Sequence, residues 1–171
     1  MEKIVQKGEK VLAEKAKEVP VNDIKTPKIK QILKDMSEAL LAEKDGVAIA
    51  APQIGIPLRI FVVSGHIFDT KAVENDDKSL KTSEDLVFIN PEIIKLSQKK
   101  EWLDEGCLSV RGTFGKVRRA TKATVSAYNK NGEKFTRGGS GLLAQIFQHE
   151  VDHLDGTLFV EKAKQLQNIN D

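Results

Sequence analysis

The stretch SGLLAQIFQHEVDHLDG, residues 140–156, decides how the rest of this sequence is interpreted. Its apolar residues recur at spacings of three and four, which predicts one α-helix with a single apolar side. Ser140 suits the N-cap, because its hydroxyl can accept a hydrogen bond from an early backbone N–H, and Gly156 suits the end of the helix. The apolar side consists of Leu142, Leu143, Ile146 and Phe147.

The same helix carries two histidines at the spacing of metal ligands. His149 and His153 stand four residues apart, so both imidazoles project from one helix face and can share a small ion. Glu150 completes the pattern HExxH, in which the carboxylate acts as general base on a metal-bound water. The competing interpretation is a coincidental pair on a solvated helix. It is weaker, because the chain has only three His and two of them fall at ligand spacing.

The third ligand decides the class of hydrolase, because HExxH alone is typical of zinc proteases. One protease pattern continues to a third His at position 159, where this chain has Phe159. The other takes a carboxylate well downstream, and only Glu161 and Asp171 follow the helix. Both protease designs are therefore disfavoured.

Cys107, in DEGCLSV, is the remaining candidate ligand. A lone cysteine is more often a small buried apolar residue than a ligand. Two features favour the interpretation of Cys107 as a metal ligand. Its neighbours are polar, and Gly106 permits a close approach of the backbone. One cysteine cannot form an internal disulfide, so a reducing compartment would leave the thiol free to bind metal.

The rest of the chain predicts one further helix and several short strands. TPKIKQILKDMSEALLAEKDG, from Thr26 to Gly46, predicts an amphipathic helix with Pro27 in its first turn and a stop at Gly46. Runs rich in β-branched and aromatic residues predict strands at 58–64, 86–90, 93–103 and 122–128, and Asn131 with Gly132 predicts a hairpin turn. The buried face of the first helix is predicted to be Ile29, Ile32, Leu33, Met36 and Leu40.

The predicted fold class is α+β: antiparallel β-sheets packed around a buried C-terminal helix that carries HExxH, with an N-terminal amphipathic helix. A length of 171 residues fits one domain, 1–171, with a long surface loop at 65–85 and a short tail at 160–171. A formal charge of +2 with scattered Lys is typical of a solvated surface, so no DNA partner is expected. No leader segment or apolar run of about 18 residues is present, so a cytoplasmic protein without membrane contact is expected.

Three motifs, in order and spacing, resemble those of peptide deformylase: GVAIAAPQ at 46–53, EGCLS at 105–109 and QHEVDH at 148–153. The likeness extends over nearly the whole chain. It implies a metal-dependent hydrolase that removes the N-formyl group from the N-terminal formylmethionine of newly synthesised polypeptides and releases formate. By resemblance, Cys107, His149 and His153 hold one divalent ion, with Fe²⁺ as first choice and Zn²⁺, Ni²⁺ and Co²⁺ as compatible alternatives.

The resemblance also implies roles for residues around the ion. Metal-bound hydroxide would attack the formyl carbon, and Glu150 would take the proton and pass it to the departing amine. The side-chain amide of Gln53 and the backbone N–H of Leu108 would stabilise the negative charge on the formyl oxygen. The residues expected to contact the substrate are Val47, Ala48, Leu103, Leu142, Gln145 and Ile146, and those expected to support the ligands are Glu105, Arg119 and Asp152.

The sequence departs from the deformylase pattern at several points. Ala48 stands where a second Gly is usual, Arg111 where many relatives have Pro, and Phe114 where some have Arg. The chain also ends about a dozen residues after Phe159, in EKAKQLQNIND, without the basic C-terminal helix that docks some relatives on the ribosome. The resemblance makes the N-formyl-methionyl nascent peptide the expected partner. A transient contact with the ribosome is left open, although the basic helix is not there to make it.

Two other hypotheses remain at this point. A metalloprotease or other amidase would use the same ion to cleave unformylated peptides. A metal-stabilised binding module, for example for ribosomal RNA, would require a closed site with four protein ligands, and the only other His is His66 in the polar loop.

Overall fold

The computed structural model describes residues 3–69 and 83–169. Within them the helices are α1 (Lys10–Ala13), α2 (Pro27–Ala42) and α3 (Gly141–Leu154). The strands are β1 (Ala48–Ala50), β2 (Ile60–Val63), β3 (Leu86–Leu96), β4 (Lys100–Cys107), β5 (Val110–Ala120), β6 (Lys122–Tyr128), β7 (Lys134–Ser140) and β8 (Lys164–Asn168).

The strands form two sheets, and every pairing between named strands is antiparallel. One sheet has the order β1-β2-β3-β6-β7 and the other the order β4-β5-β8. The predicted α+β class, with antiparallel sheets around a buried C-terminal helix, is confirmed.

Both faces of the five-stranded sheet are covered by helices. Because side chains alternate along a strand, Ile60 and Val62 of β2 pack with α2, while Phe61 and Val63 pack with α3. The rings of Phe61 and Phe88 stack at a centroid distance of 4.5 Å beneath α3. The helix with the two histidines therefore packs on this sheet, and its Asp152 also accepts a hydrogen bond from Arg119 of β5 in the smaller sheet.

Helix α2 confirms the predicted amphipathic helix but ends earlier than expected. Its buried residues include Ile29, Ile32, Met36 and Leu40, and Leu33 is half-buried. The predicted stop at Gly46 is wrong, because Glu43 already has extended backbone angles. Helix α3 begins after Ser140, whose side chain makes no capping hydrogen bond, and Gly156 follows it at φ 80°.

The predicted strand at 93–103 is wrong as one element, because the chain changes sheets inside it. Leu96 pairs with Ala123 in the larger sheet, and Lys100 pairs with Ala120 in the smaller one. Residues 97–99 make the crossing, where the Ser97 hydroxyl donates to the Lys99 carbonyl at 2.9 Å. The apolar residues in fact stop at Leu96 and resume at Trp102, so the polar run SQKKE at 97–101 marks a break that the prediction of one strand passed over.

The strands predicted at 58–64, 86–90 and 122–128 correspond to β2, the first half of β3, and β6. The hairpin predicted at Asn131 and Gly132 joins β6 to β7 and is confirmed. Residues 164–168, expected in a short tail, form the edge strand β8 on β5. In the predicted 65–85 loop, Gly65–Phe68 form a 3-10 turn, and residues 70–82 lie outside the described residues.

Candidate metal centre

The structure brings Cys107, His149 and His153 together, although they come from two separate elements. The two histidines lie on one face of α3, and Cys107 is the last residue of β4. The ligand atoms of all three lie within 4.8 Å of one another, with 3.2 Å between Cys107 Sγ and His153 Nε2. Three donors at these distances can surround one small cation.

A buried carboxylate fixes the orientation of the first imidazole. Glu105 Oε1 lies 2.5 Å from His149 Nδ1, so Nε2 of His149 is the nitrogen left for a cation. Arg119 donates to both oxygens of Glu105, at 2.6 and 3.1 Å, and to Asp152 at 2.7 Å. Asp152 is also paired with Lys162 at 3.0 Å. Glu105, Arg119 and Asp152 therefore form one chain of ion pairs beside the ligands.

Burial and hydrogen bonding shift the pKa values of these groups in different directions. Burial alone would raise the pKa of Glu105, but hydrogen bonds from His149 and Arg119 outweigh it and hold the pKa at about 2. Burial alone would lower the pKa of His149, but hydrogen bonds to Cys107 and Glu105 raise it well above its ordinary value. Burial lowers the pKa of His153 well below that value.

Glu150 is buried next to the histidines and faces the cavity described below. Its Oε1 lies 4.0 Å from His149 Nε2, and its Oε2 has no hydrogen-bond partner among the described residues. Burial raises the pKa of Glu150 to about 7, against the opposing effect of His149. An unpartnered buried carboxylate oxygen is free to accept a proton from a bound molecule.

Gln53 approaches the cysteine from the other side. Its Oε1 accepts from the Ala50 N–H at 2.9 Å, which leaves Nε2 to donate to Ser109 Oγ at 3.1 Å and towards Cys107 Sγ at 3.6 Å. The Ser109 N–H also donates to Cys107 Sγ, at 3.4 Å. The sulfur therefore has two N–H donors directed at it, from Gln53 and from Ser109.

A cavity of about 420 Å³ opens at the ligands and includes Gln53, Cys107, Leu108, His149 and Glu150 in its wall. Five of the six residues predicted to contact substrate also line it: Val47, Ala48, Leu142, Gln145 and Ile146. Leu103 is half-buried on β4 and is not among the described residues that line this cavity. The roles of these residues remain predictions.

Several residues of the site were given no role from the sequence, although Arg111 and Phe114 stand out there as departures from the family pattern. Phe114 lines the cavity and packs on Gly106, where a Cβ would lie 2.7 Å from its ring. Arg111 and Glu43, which both line the cavity, form a two-point ion pair at 2.8 and 3.1 Å. Ser109 could have been predicted from the sequence, because a residue two positions after Cys107 can direct its backbone N–H at the sulfur.

The residues present fit a divalent cation. A thiolate and two imidazoles are donors that suit Fe²⁺ or Zn²⁺, and three protein ligands are typical of catalytic sites. The hydrogen bond from His149 Nδ1 to Glu105 is the support that a ligating imidazole usually has. This site combines three residues that can hold a cation, a buried carboxylate beside them and a cavity that reaches both. That combination is typical of metal-dependent hydrolases.

Comparison with known proteins specifies the family. The sequence model of the polypeptide deformylase family matches residues 1–168, and the chain belongs to this family. Its members are metal-dependent hydrolases, so this chain is an enzyme. Over 162 residues it is 43% identical to the peptide deformylase of Carboxydothermus hydrogenoformans, covering 94% of this chain and 92% of that one.

Solved structures agree with the fold. The peptide deformylase from Legionella pneumophila has a TM-score of 0.81 at 34% identity, over 96% of this chain and 87% of that one. The actinonin-bound class I type b peptide deformylase from Acinetobacter baumannii has a TM-score of 0.79 at 33% identity, over 95% and 97%. Within the part of the chain that the structure describes, no helix has the length and apolar character needed to span a membrane.

Proposed function

We propose that this chain removes the N-formyl group from the N-terminal formylmethionine of newly synthesised polypeptides and releases formate. The observation that carries this proposal is the convergence of Cys107, His149 and His153 beside the buried Glu150 at one cavity. We also propose that the enzyme acts in the cytoplasm, where nascent peptides are its partners and any ribosome contact is transient. Neither DNA nor a membrane is a proposed partner.

Cys107, His149 and His153 would hold one divalent cation, with Fe²⁺ as our first choice and Zn²⁺, Ni²⁺ or Co²⁺ as compatible ions. When bound, the cation supplies Lewis acidity, which makes water more acidic and polarises a carbonyl group. Glu105 keeps Nε2 of His149 directed at the ion by accepting the hydrogen bond from Nδ1. Arg119 and Asp152 hold Glu105 in place.

Glu150 carries the proton. Its unpartnered Oε2 takes a proton from the attacking water and later delivers it to the amine that leaves. Burial keeps this carboxylate away from bulk water, so the proton stays with the reacting groups. The side chain therefore serves as base and then as acid in one turnover.

Gln53 and Leu108 stabilise the charge that develops on the formyl oxygen. The Ala50 N–H donates to the side-chain oxygen of Gln53, Oε1. The side-chain NH₂ group is therefore directed towards the Cys107 sulfur and the cavity wall. The Leu108 N–H would be the second donor. A donor placed before the reaction does not need to reorganise, and such a group contributes about 100- to 1000-fold in rate.

The methionine side chain would enter the apolar part of the cavity. Val47, Leu142 and Ile146 line this part, and Gln145 lies at its rim, where it donates to the Asp104 carbonyl at 2.9 Å. Ala48 lines the cavity, where its methyl group would lie beside the substrate backbone. Because Leu103 does not line the cavity, it has no part in this pocket as we propose it.

The test is formate release from formyl-Met-Ala-Ser by protein purified without oxygen and analysed for its metal content. We expect release that stops on chelation and returns when Fe²⁺ is added. Cys107→Ala should lose both metal and activity; activity that persists in it with metal occupancy unchanged would refute the proposal. Internal cleavage of the unformylated peptide Met-Ala-Ser, without formate release, would identify a protease instead.

A further inference from the structure

Residues 4–7, near the N-terminus, run between the two turns that carry the groups proposed to stabilise charge. The Val5 N–H donates to the Gln53 carbonyl at 2.8 Å, and the Lys7 N–H donates to the Ser109 carbonyl at 2.8 Å. Gln53 and Ser109 belong to different parts of the chain, so this segment joins both sides of the site through its backbone.

Gln6, between these two residues, adds a bond from its side chain. Gln6 Nε2 donates to the Leu108 carbonyl at 2.9 Å, and a weaker contact at 3.4 Å reaches the Ile4 carbonyl. The Gln6 side chain is half-buried, so the bond to Leu108 is partly shielded from water. It spans 102 residues of sequence and is a tertiary contact.

The Leu108 carbonyl belongs to the same planar peptide unit as the Ser109 N–H. That N–H donates to Cys107 Sγ at 3.4 Å. A hydrogen bond at the carbonyl end of a peptide polarises its N–H end and fixes the plane in which that N–H points. Gln6 therefore acts on the ligand sulfur through a single peptide unit.

We propose that Gln6 is a positioning residue of the metal centre. It holds the Leu108–Ser109 peptide so that its N–H points at Cys107 Sγ, and it keeps Leu108 at the wall of the cavity. The proposal rests on the proposed function for its effect on turnover. Its effect on the sulfur depends only on the metal site.

The test is Gln6→Met, which keeps the length of the side chain and removes the donor. We expect metal affinity, measured by competition with a chelator, to fall about 10-fold or more, as is usual when a partner of a ligand is lost. The sulfur-to-cobalt charge-transfer band of the Co²⁺-substituted protein should shift, and kcat should fall with little change in KM. Wild-type affinity together with an unshifted band would overturn the proposal.

Two further variants keep the test decisive. Gln6→His places an Nε2–H donor at the same number of bonds from Cα, so we expect most of the affinity and the band position to return. Gln6→Glu keeps the size of the side chain but sets an oxygen against the Leu108 carbonyl, so it should show the same loss of metal affinity as Gln6→Met. It replaces Gln6→Met if that variant does not fold. If Gln6→His does not recover metal affinity and Gln6→Glu does not lose it, the hydrogen bond from Gln6 Nε2 has no role at the metal centre.

Asn90→Ala is the matched control for general destabilisation. The Asn90 side chain bonds the Val19 N–H and carbonyl, both at 2.8 Å, and does not line the cavity. We expect this variant to lower Tm without changing metal affinity or the cobalt band; an equal loss of affinity would overturn the proposal for Gln6. If the wild type releases no formate while Gln6→Met still weakens metal binding, the proposed function fails and the inference on Gln6 stands.

Discussion

Glu105→Gln is the change that most directly tests how the metal centre is held, because it removes a buried charge and keeps the side-chain shape. Glu105 Oε1 accepts from His149 and from Arg119, at 2.5 and 2.6 Å. Its Oε2 accepts from Arg119 and from Gln145, at 3.1 and 3.3 Å. In a carboxamide one of these oxygens becomes an NH₂ group, which would face two donors and accept from neither.

The size of the effect follows from these contacts. Breaking a buried ion pair by removing one partner costs about 3–5 kcal/mol. Arg119 keeps Asp152 as a partner at 2.7 Å, so we expect the lower end, about 3 kcal/mol. For a protein of this length, about 3 kcal/mol lowers Tm by about 6–12 °C. Because His149 loses the carboxylate that orients it, metal affinity should also fall about 10- to 100-fold.

The assay is thermal unfolding of the chelator-treated protein, followed by circular dichroism, with metal affinity measured separately by competition. Glu101→Gln is the matched control, since it makes the same chemical change on the same strand at a half-exposed residue paired with Lys99 at 3.5 Å. We expect that control to change stability by less than about 1 kcal/mol. Glu105→Gln with the same Tm and affinity as Glu101→Gln would refute our account of the buried ion pairs.

Three further predictions concern the cavity. Glu150→Gln should lower kcat about 100- to 10,000-fold while metal analysis shows unchanged occupancy, and formate release near the wild-type rate would exclude its role as proton carrier. Gln53→Leu should lower kcat about 100- to 1000-fold with little change in KM for formyl-Met-Ala-Ser; an unchanged kcat would assign the charge stabilisation to other groups. Arg111→Ala breaks the ion pair with Glu43 in the lining of the cavity, so KM should rise more for formylated tetrapeptides than for formyl-Met-Ala, with less than about 1 kcal/mol lost in chemical unfolding. Equal KM changes for both substrates would show that the pair does not shape the outer cavity.

Helices α2 and α3 were predictable from the sequence because each has one apolar face in contact with a sheet, whereas the four-residue α1 was not predicted. In α3, Ile146 and Phe147 are buried as predicted, whereas Leu142 is 49% exposed because it lies at the cavity wall. Periodicity measures apolar character and does not distinguish the core from a ligand-binding surface. An apolar residue that a binding site leaves exposed therefore looks like core in the sequence.

Strand β5 was not predicted, although it supports the site. Its sequence, VRGTFGKVRRA, contains two Gly, which are depleted in strands, and four basic residues that interrupt its apolar pattern. The pattern has a structural reason: Gly115 packs close to Leu166, and Arg119 is buried because it pairs with Glu105 and Asp152. Local propensity cannot include partners that lie far away in the sequence.

The proposed ligand set could be selected from side chains, but the residues that contact it could be selected only in part. HExxH and EGCLS contain the three proposed ligands, Glu150 and Glu105, all of which would act through their side chains. The bonds of Val5 and Lys7 to the site come from backbone atoms, which every residue has. Contacts of that kind leave no trace in composition or spacing, and only the folded chain reveals them.

The arrangement of the site can be traced to two short spacings. Glu105 and Cys107 lie two residues apart on β4, so their side chains point to the same face of the strand. His149 and Asp152 lie three residues apart on α3, so they share one helix face. Glu105 bonds His149, and Arg119 joins Glu105 to Asp152, so the strand and the helix are fixed to each other at two points. Because Cys107 is carried by this strand and His153 by this helix, the same contacts hold the sulfur close to the second imidazole, at 3.2 Å.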